Sequence, residues 1–301
     1  MKKWIALSAL LFAVGFACLA QAQLPLTHGG KGAPNGGFVG SCTESTNAVA
    51  RTSGLNSTYQ SAYDALICGL VYDGTWAKFD AFYIYATSSS SNALINLVQN
   101  AYNGTVNGSP TFTAAQGYTG IDASTTDYID TGFNPTTASS PQFTQNSAHV
   151  GVWENTSSGG AGGVAGTVIG SYLGTAPVIE LVPYYQDTHG FCYLNANASG
   201  GDIDTGVLAS GFGYFICNRD TSTSVIYYVN DANRGSNSTA STASPNANLY
   251  ILARARSGGT ADAGNGNQFS IIHFGASLVP TQMRVLDYRI GLYRAQIGLT
   301  P

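Results

Sequence analysis

The chain has 301 residues, 37 of them Gly, and only 9% are charged, giving a formal net charge of −4. A globular protein carries about 25% charged residues, so this surface is kept in water by Ser, Thr and Asn rather than by ions. The acidic balance excludes an electrostatic partnership with nucleic acid or an anionic membrane.

The first 22 residues read as an export leader. Lys2 and Lys3 precede an apolar run from Trp4 to Ala20, and Ala20-Gln21-Ala22 supplies the small-x-small cleavage signature. The run is about 17 residues, the short limit for a span of ~17 to 25, so no membrane span is expected after cleavage at Ala22. Removing Lys2 and Lys3 lowers the basic count from 12 to 10 and takes the formal charge from −4 to −6. The expected location is therefore secreted, periplasmic or at the cell surface.

Residues 23–56 show no hydrophobic period and are rich in Gly, Ser and Thr, which predicts an arm or linker. Residues 57–105 form a helical lead-in. Ser57-Thr-Tyr-Gln60 has the pattern of a capping box, and Tyr59, Tyr63, Leu66, Ile67 and Leu70 share one helical face up to Asp73-Gly74. A turn of helix over Trp76–Asp80, a strand over 81–86 and a short helix over 92–99 follow.

From residue 106 to 298 the pattern is that of one large β domain. Candidate strands are 111–118, 127–133, 147–154, 164–173, 178–186, 190–196, 211–218, 224–230, 248–255 and 268–277. The chain then returns to a period of 3.6: Pro280 opens a helix whose Met283, Leu286, Ile290, Tyr293 and Ile297 lie on one stripe, with Gly298 as the stop. The fold class is all-β with accessory helices, a two-sheet antiparallel jelly roll with helices packed on it.

Four cysteines remain after leader removal: Cys42, Cys68, Cys192 and Cys217. An even count in an exported chain, without zinc-type spacing, points to disulfides. Three pairings exist. Cys192 and Cys217 lie in two strand-like runs joined by a Gly-rich loop, which favours Cys192 with Cys217 and Cys42 with Cys68.

Gly117-Tyr-Thr-Gly-Ile-Asp-Ala-Ser-Thr-Thr-Asp-Tyr-Ile-Asp-Thr-Gly-Phe133 resembles the opening hairpin of laminin-G-like jelly rolls in the concanavalin A-like lectin and glucanase superfamily. Asp64-Ala-Leu-Ile, Asp73-Gly-Thr-Trp-Ala-Lys-Phe-Asp80, Ala93-Leu-Ile-Asn-Leu97, Gly108-Ser-Pro-Thr-Phe-Thr113 and Asn146-Ser-Ala-His-Val150 look like a set of jelly-roll proteins of phage virion-surface and bacterial exported type. That resemblance spans residues 59–298, strongly before 153, and implies binding more often than cutting. It transfers no catalytic residue, and the leader favours a bacterial exported homologue.

Glucanases of this superfamily place paired carboxylates on one strand as Glu-x-Asp-x-Glu. Here the only Glu residues are 44, 154 and 180, none with a carboxylate two or four positions away, so the enzymatic reading leans to no. Asp202 and Asp204 share a face if extended and are the metal candidates for calcium, with Asp187, Asp220 and Asp231 as further loop carboxylates. His149 and His273 sit in apolar strands and read as core. Glycan stacking needs exposed aromatics. Trp153, Tyr184, Tyr185 and Tyr228 are the candidates, although consecutive Tyr on a strand face opposite ways.

The expected function is an exported, non-enzymatic jelly-roll protein that binds glycans or a cell surface. The alternatives are a structural cell-surface or phage-derived component, whose sandwich packs against copies of itself as a homo-oligomer, and a divergent polysaccharide hydrolase or lyase.

Overall fold

The computed structural model describes residues 41–156, 166–185, 189–197, 203 and 211–299. Helices α1 (Thr43–Arg51) and α2 (Ser57–Tyr72) lead into strand β1 (Phe79–Ile84), and the short helix α3 (Ser90–Ala93) follows. The next strands are β2 (Thr105–Asn107), β3 (Thr111–Thr113), β4 (Gly117–Thr119), β5 (Tyr128–Asp130), β6 (Ala148–Glu154) and β7 (Ile169–Tyr172). After them come β8 (Val178–Tyr185), β9 (His189–Ala196), β10 (Gly213–Thr221), β11 (Ser224–Val229) and β12 (Ala232–Asn237). Strands β13 (Tyr250–Ile251), β14 (Arg254–Ala255), β15 (Ala261–Asp262) and β16 (Gln268–Gly275) complete the two sheets, and α4 (Pro280–Gln296) ends the described chain.

Each sheet has eight strands. The first runs β12-β11-β10-β6-β16-β4-β3, with β1 sharing one edge of β16 with β4: β1 pairs along Ile271–Gly275 and β4 along Gln268 and Phe269. The second runs β15-β14-β7-β13-β5-β2, extended on the other side of β7 by β8 and β9. Pairing is antiparallel except between β7 and β14.

All six residues of β1 are buried, as are all seven of β6 and all eight of β16. A strand buried on both faces must be apolar on both, and the two sides here meet different partners. Ala81, Tyr83, Val150, Val152, Phe215, Ile272 and Phe274 face the second sheet and form the sandwich core. Phe79, Phe82, Ile84, Trp153, Tyr214 and Ile271 face a layer built from α1, α2 and α4. The architecture is thus three layers: helices, first sheet, second sheet. Outer positions of β9 at His189, Phe191 and Tyr193 alternate with buried Cys192 and Leu194, the pattern of a strand covered on one side.

Disulfides Cys42–Cys68 and Cys192–Cys217 are both formed. The first ties the start of α1 to α2, and the second joins β9 to β10 across the sandwich core. Closing each loop contributes roughly 3 to 4 kcal/mol in the chain-entropy description. On α4, Met283, Leu286, Ile290 and Tyr293 are buried and Ile297 packs at the margin, and the Tyr293 hydroxyl donates to the Ala86 carbonyl at 2.7 Å.

Several local expectations are corrected. Residues 43–51 form α1 instead of continuing an arm, because Ser45 and Ala48 pack against α2. The cap of α2 is Asn56, whose side chain accepts from Tyr59 N, rather than Ser57. The helix expected over 92–99 stops at Ala93. Beyond it the buried Asn96 amide takes over the chain's bonds, accepting from Phe82 N and Val98 N and donating to the Asp80 and Ala101 carbonyls. The run 111–118 is split into β3 and β4, and 248–255 into β13 and β14, where Leu252 adopts φ +70°. Strands β2, β12 and β15 were not expected, since sequences such as Ala-Asn-Arg-Gly-Ser-Asn lack apolar alternation.

Candidate functional site

Two aromatic candidates are not available to a ligand. Trp153 is buried between the first sheet and the helices, stacked on Tyr214 at 5.9 Å, with the Arg294 guanidinium 4.5 Å from its ring. Tyr228 is buried in the same layer. Both face inward because α2 and α4 cover a sheet face that strand patterning alone leaves open. Tyr184 is half-buried against the sandwich core. The side chain of Tyr185, and Asp187, Asp202 and Asp204, lie outside the described residues. Asp220 and Asp231 are exposed at opposite ends of the β10–β11 hairpin. Among the described residues, no three His, Cys, Asp or Glu side chains come together as cation ligands.

The three Glu residues stand apart. Glu44 is in the first turn of α1. Glu154 is fully buried at the end of β6, where it accepts from the Asn267 amide, and burial raises its pKa well above the ordinary range. Glu180 lies on the outer side of the second sheet, buried under Arg254.

A pocket of about 420 Å³ opens at one end of the second sheet, within the ~300–1,000 Å³ range of small-molecule sites. Four segments line it: Asn134 after β5, Leu173 after β7, Asn246 to Asn248 with Tyr250 of β13, and Ala255 to Gly259 after β14. Its walls are cross-braced. Asn134 accepts from Thr136 N at 2.9 Å and donates to the Asn246 carbonyl oxygen at 2.9 Å. Asn248 donates to both oxygens of Asp130 at 3.0 and 3.2 Å, and Asp130 also accepts from Gly132 N. The Tyr250 ring stacks on Tyr128 at 4.2 Å, and both hydroxyls donate to the Gly259 carbonyl. The Ser257 hydroxyl donates to Leu173 O at 2.6 Å. Gly258 and Gly259 turn the rim at φ +79° and +76°, a conformation that disfavours side chains.

Beside the pocket lies a charged cluster on the outer face of the second sheet. Arg254 donates to Glu180 at 2.9 Å and to Asp262 at 2.7 Å, and Arg256 reaches Asp262 at 3.3 Å. Both guanidiniums lie over the Tyr172 ring, at 5.1 and 4.8 Å. Burial works against the Arg254 charge, but the Asp262 and Glu180 carboxylates more than offset it and raise its pKa. Burial pushes the Glu180 carboxyl up, and Arg254 pulls it back.

After this bracing, the Asn246 amide N–H2, the Asn248 carbonyl oxygen and Arg256 Nη2 carry no hydrogen bond among the described residues. The lining therefore offers both donors and acceptors, next to the apolar surface of Leu173 and Ala247. None of Asn134, Asn246, Asn248, Tyr250 and Arg256 was singled out from sequence. The one local signal was the cluster Asn246-Ala-Asn248 two residues before Tyr250.

No family model matches this chain, and no curated protein matches it. Solved structures do. The Trypanosoma rangeli sialidase in complex with sialic acid superposes with a TM-score of 0.52 at 10% identity, covering 72% of this chain and 34% of the sialidase. Domain 4 of an extracellular arabinanase from Geobacillus stearothermophilus, solved with arabinotriose, gives 0.48 at 16% identity and covers 70% of this chain and 98% of that domain. The botulinum neurotoxin serotype G binding domain gives 0.48 at 12% identity, covering 70% and 50%. The chain thus spans about a third of the sialidase and half of the toxin chain. At 10% identity the similarity to the sialidase is one of fold alone, a β-sandwich.

Proposed function

We propose that this chain is an exported, non-enzymatic glycan-binding protein of the concanavalin A-like kind, and that the pocket lined by Asn134, Asn246, Asn248 and Arg256 is its binding site. The observation that carries this reading is the set of uncommitted amide and guanidinium groups beside an apolar wall. Sugar hydroxyls donate and accept at once, and their C–H faces need such a wall. Export is supported by the leader-like first 22 residues and by two disulfides, which persist in oxidising compartments. No helix among the described residues is long and apolar enough to cross a membrane. Binding rather than hydrolysis is supported by the separation of the three Glu residues and the burial of Glu154 and Glu180. Probing a glycan array with the purified chain tests the reading: saturable binding to a defined glycan is expected, and no binding to any would refute it.

A structural role through self-association has one observation in its favour. Tyr288 and Leu292, one turn apart on α4, are 63% and 45% exposed. Sedimentation of the wild type against Tyr288→Ser/Leu292→Ser distinguishes the two, since an assembly dissolved by the pair of changes would favour the structural role.

A further inference from the structure

We infer that the pocket selects neutral, hydroxyl-rich sugars and discriminates against acidic ones. This rests on the reading of the pocket as a glycan site and adds the class of sugar it takes.

A guanidinium already paired with a carboxylate attracts a second one less strongly, because its charge is partly met. Here Asp262 sits 3.3 Å from Arg256 Nε while Arg256 Nη1 donates to the Tyr172 carbonyl at 3.1 Å. Arg254, the neighbouring cation, is fixed between Glu180 and Asp262. Two cations are thus met by two carboxyl groups before any ligand arrives. Asp130 stands behind the lining as well, bonded to Asn248. A ligand carboxylate would thus share the neighbourhood of the pocket with Asp130 and Asp262, and like charges repel.

Hydrogen-bond arithmetic points the same way. Among the described residues, Asn246 Nδ2 and Arg256 Nη2 remain as donors without a hydrogen bond and Asn248 Oδ1 as such an acceptor. A hydroxyl both donates and accepts, whereas a carboxylate or sulfate accepts only and cannot satisfy Asn248 Oδ1. Burying such an acceptor unpaired is penalised. The volume of about 420 Å³ and the closure by four loop segments suit the end of a glycan chain rather than a long stretch of it.

The test is titration calorimetry of the full chain with cellotriose, xylotriose and arabinotriose against sialyllactose and trigalacturonic acid, each at about 50 and about 500 mM NaCl. Salt at the higher value screens exposed charges within a few ångströms. The expected result is binding of at least one neutral trisaccharide with Kd changed by less than about twofold across the salt range, and acidic sugars weaker by about tenfold or more. In Asp262→Asn, where Arg256 loses its carboxylate, acidic-sugar affinity should rise. Preference for the acidic sugars with salt-sensitive Kd would overturn the inference while leaving glycan binding intact. Absence of binding by either class would remove the glycan reading and this inference together.

Discussion

His149 Nε2 and His273 Nδ1 lie 2.9 Å apart in the layer between the first sheet and the helices, and neither ring is exposed. The Ala276 carbonyl at one end can only accept, so His149 carries its proton on Nδ1 and offers Nε2 to His273 Nδ1–H. His273 Nε2 in turn accepts from the Tyr214 hydroxyl. With both imidazoles neutral, every donor in this chain meets an acceptor. Gly151 makes room for it, since a Cβ there would stand 2.3 Å from His273 Cε1.

This geometry fixes an acid response. Burial holds His149 down at about 4, although the Ala276 carbonyl pulls the other way; burial, then the adjacent His149, lowers His273 well below its usual value. A base with a depressed folded pKa binds its proton more readily when unfolded. Stability is therefore full above pH ~6.5 and falls as pH drops towards 4, by about 3 kcal/mol for His149 alone. Urea midpoints of the wild type and of His149→Gln/His273→Gln between pH 7 and 4.5 check this. The variant should be less stable at pH 7 and show a shallower loss on acidification; parallel curves would contradict it.

Glu154 has the opposite sign. Its Oε2 is buried without a partner among the described residues, and burial keeps the carboxyl protonated well above the usual range despite the bond from Asn267. Raising the pH above its unfolded value then costs up to about 1.4 kcal/mol per pH unit until the folded pKa is reached. Glu154→Gln, neutral and similar in shape, should raise the melting temperature at pH 8 and gain little at pH 5. Equal shifts at both values would show that Glu154 is ionised in the fold.

The accessory helices pack tightly enough on the sandwich to carry part of its stability. Leu286 is fully buried against the outer face of the first sheet, so Leu286→Ala should destabilise by about 2 to 5 kcal/mol in urea unfolding. Truncation after Leu278 removes Met283, Leu286, Ile290 and Tyr293 together, each worth ~1.5 to 3 kcal/mol, and should abolish folding. A truncated chain with an unchanged melting temperature would mean that α4 packs on something other than its own sheet.

The fold was largely legible where periodicity is local. The α4 stripe, the α2 face, most long strands and the cysteine pairs each announce themselves within a few turns of chain. What failed needed knowledge of the covering layer. Trp153 and Tyr228 sit on strands whose second face could equally have met solvent, and only the docking of α2 and α4 makes them core. Asn96 ends a helix early because its side chain bonds to backbone that is distant in sequence. Of the pocket only the Asn246-Ala-Asn248 cluster left a mark in the sequence, since Asn134, Leu173, Asn246 and Arg256 share no motif and meet only when four segments reach the same end of the second sheet.

The central claim is that this pocket holds the glycan. Calorimetric titration of the strongest array glycan into the wild type, Asn246→Ala and Asn248→Ala measures it most directly. The account expects each variant to lose about tenfold or more in affinity, about 1.4 kcal/mol, with a melting temperature close to that of the wild type. Unchanged affinity in both variants, with the fold intact, would contradict it.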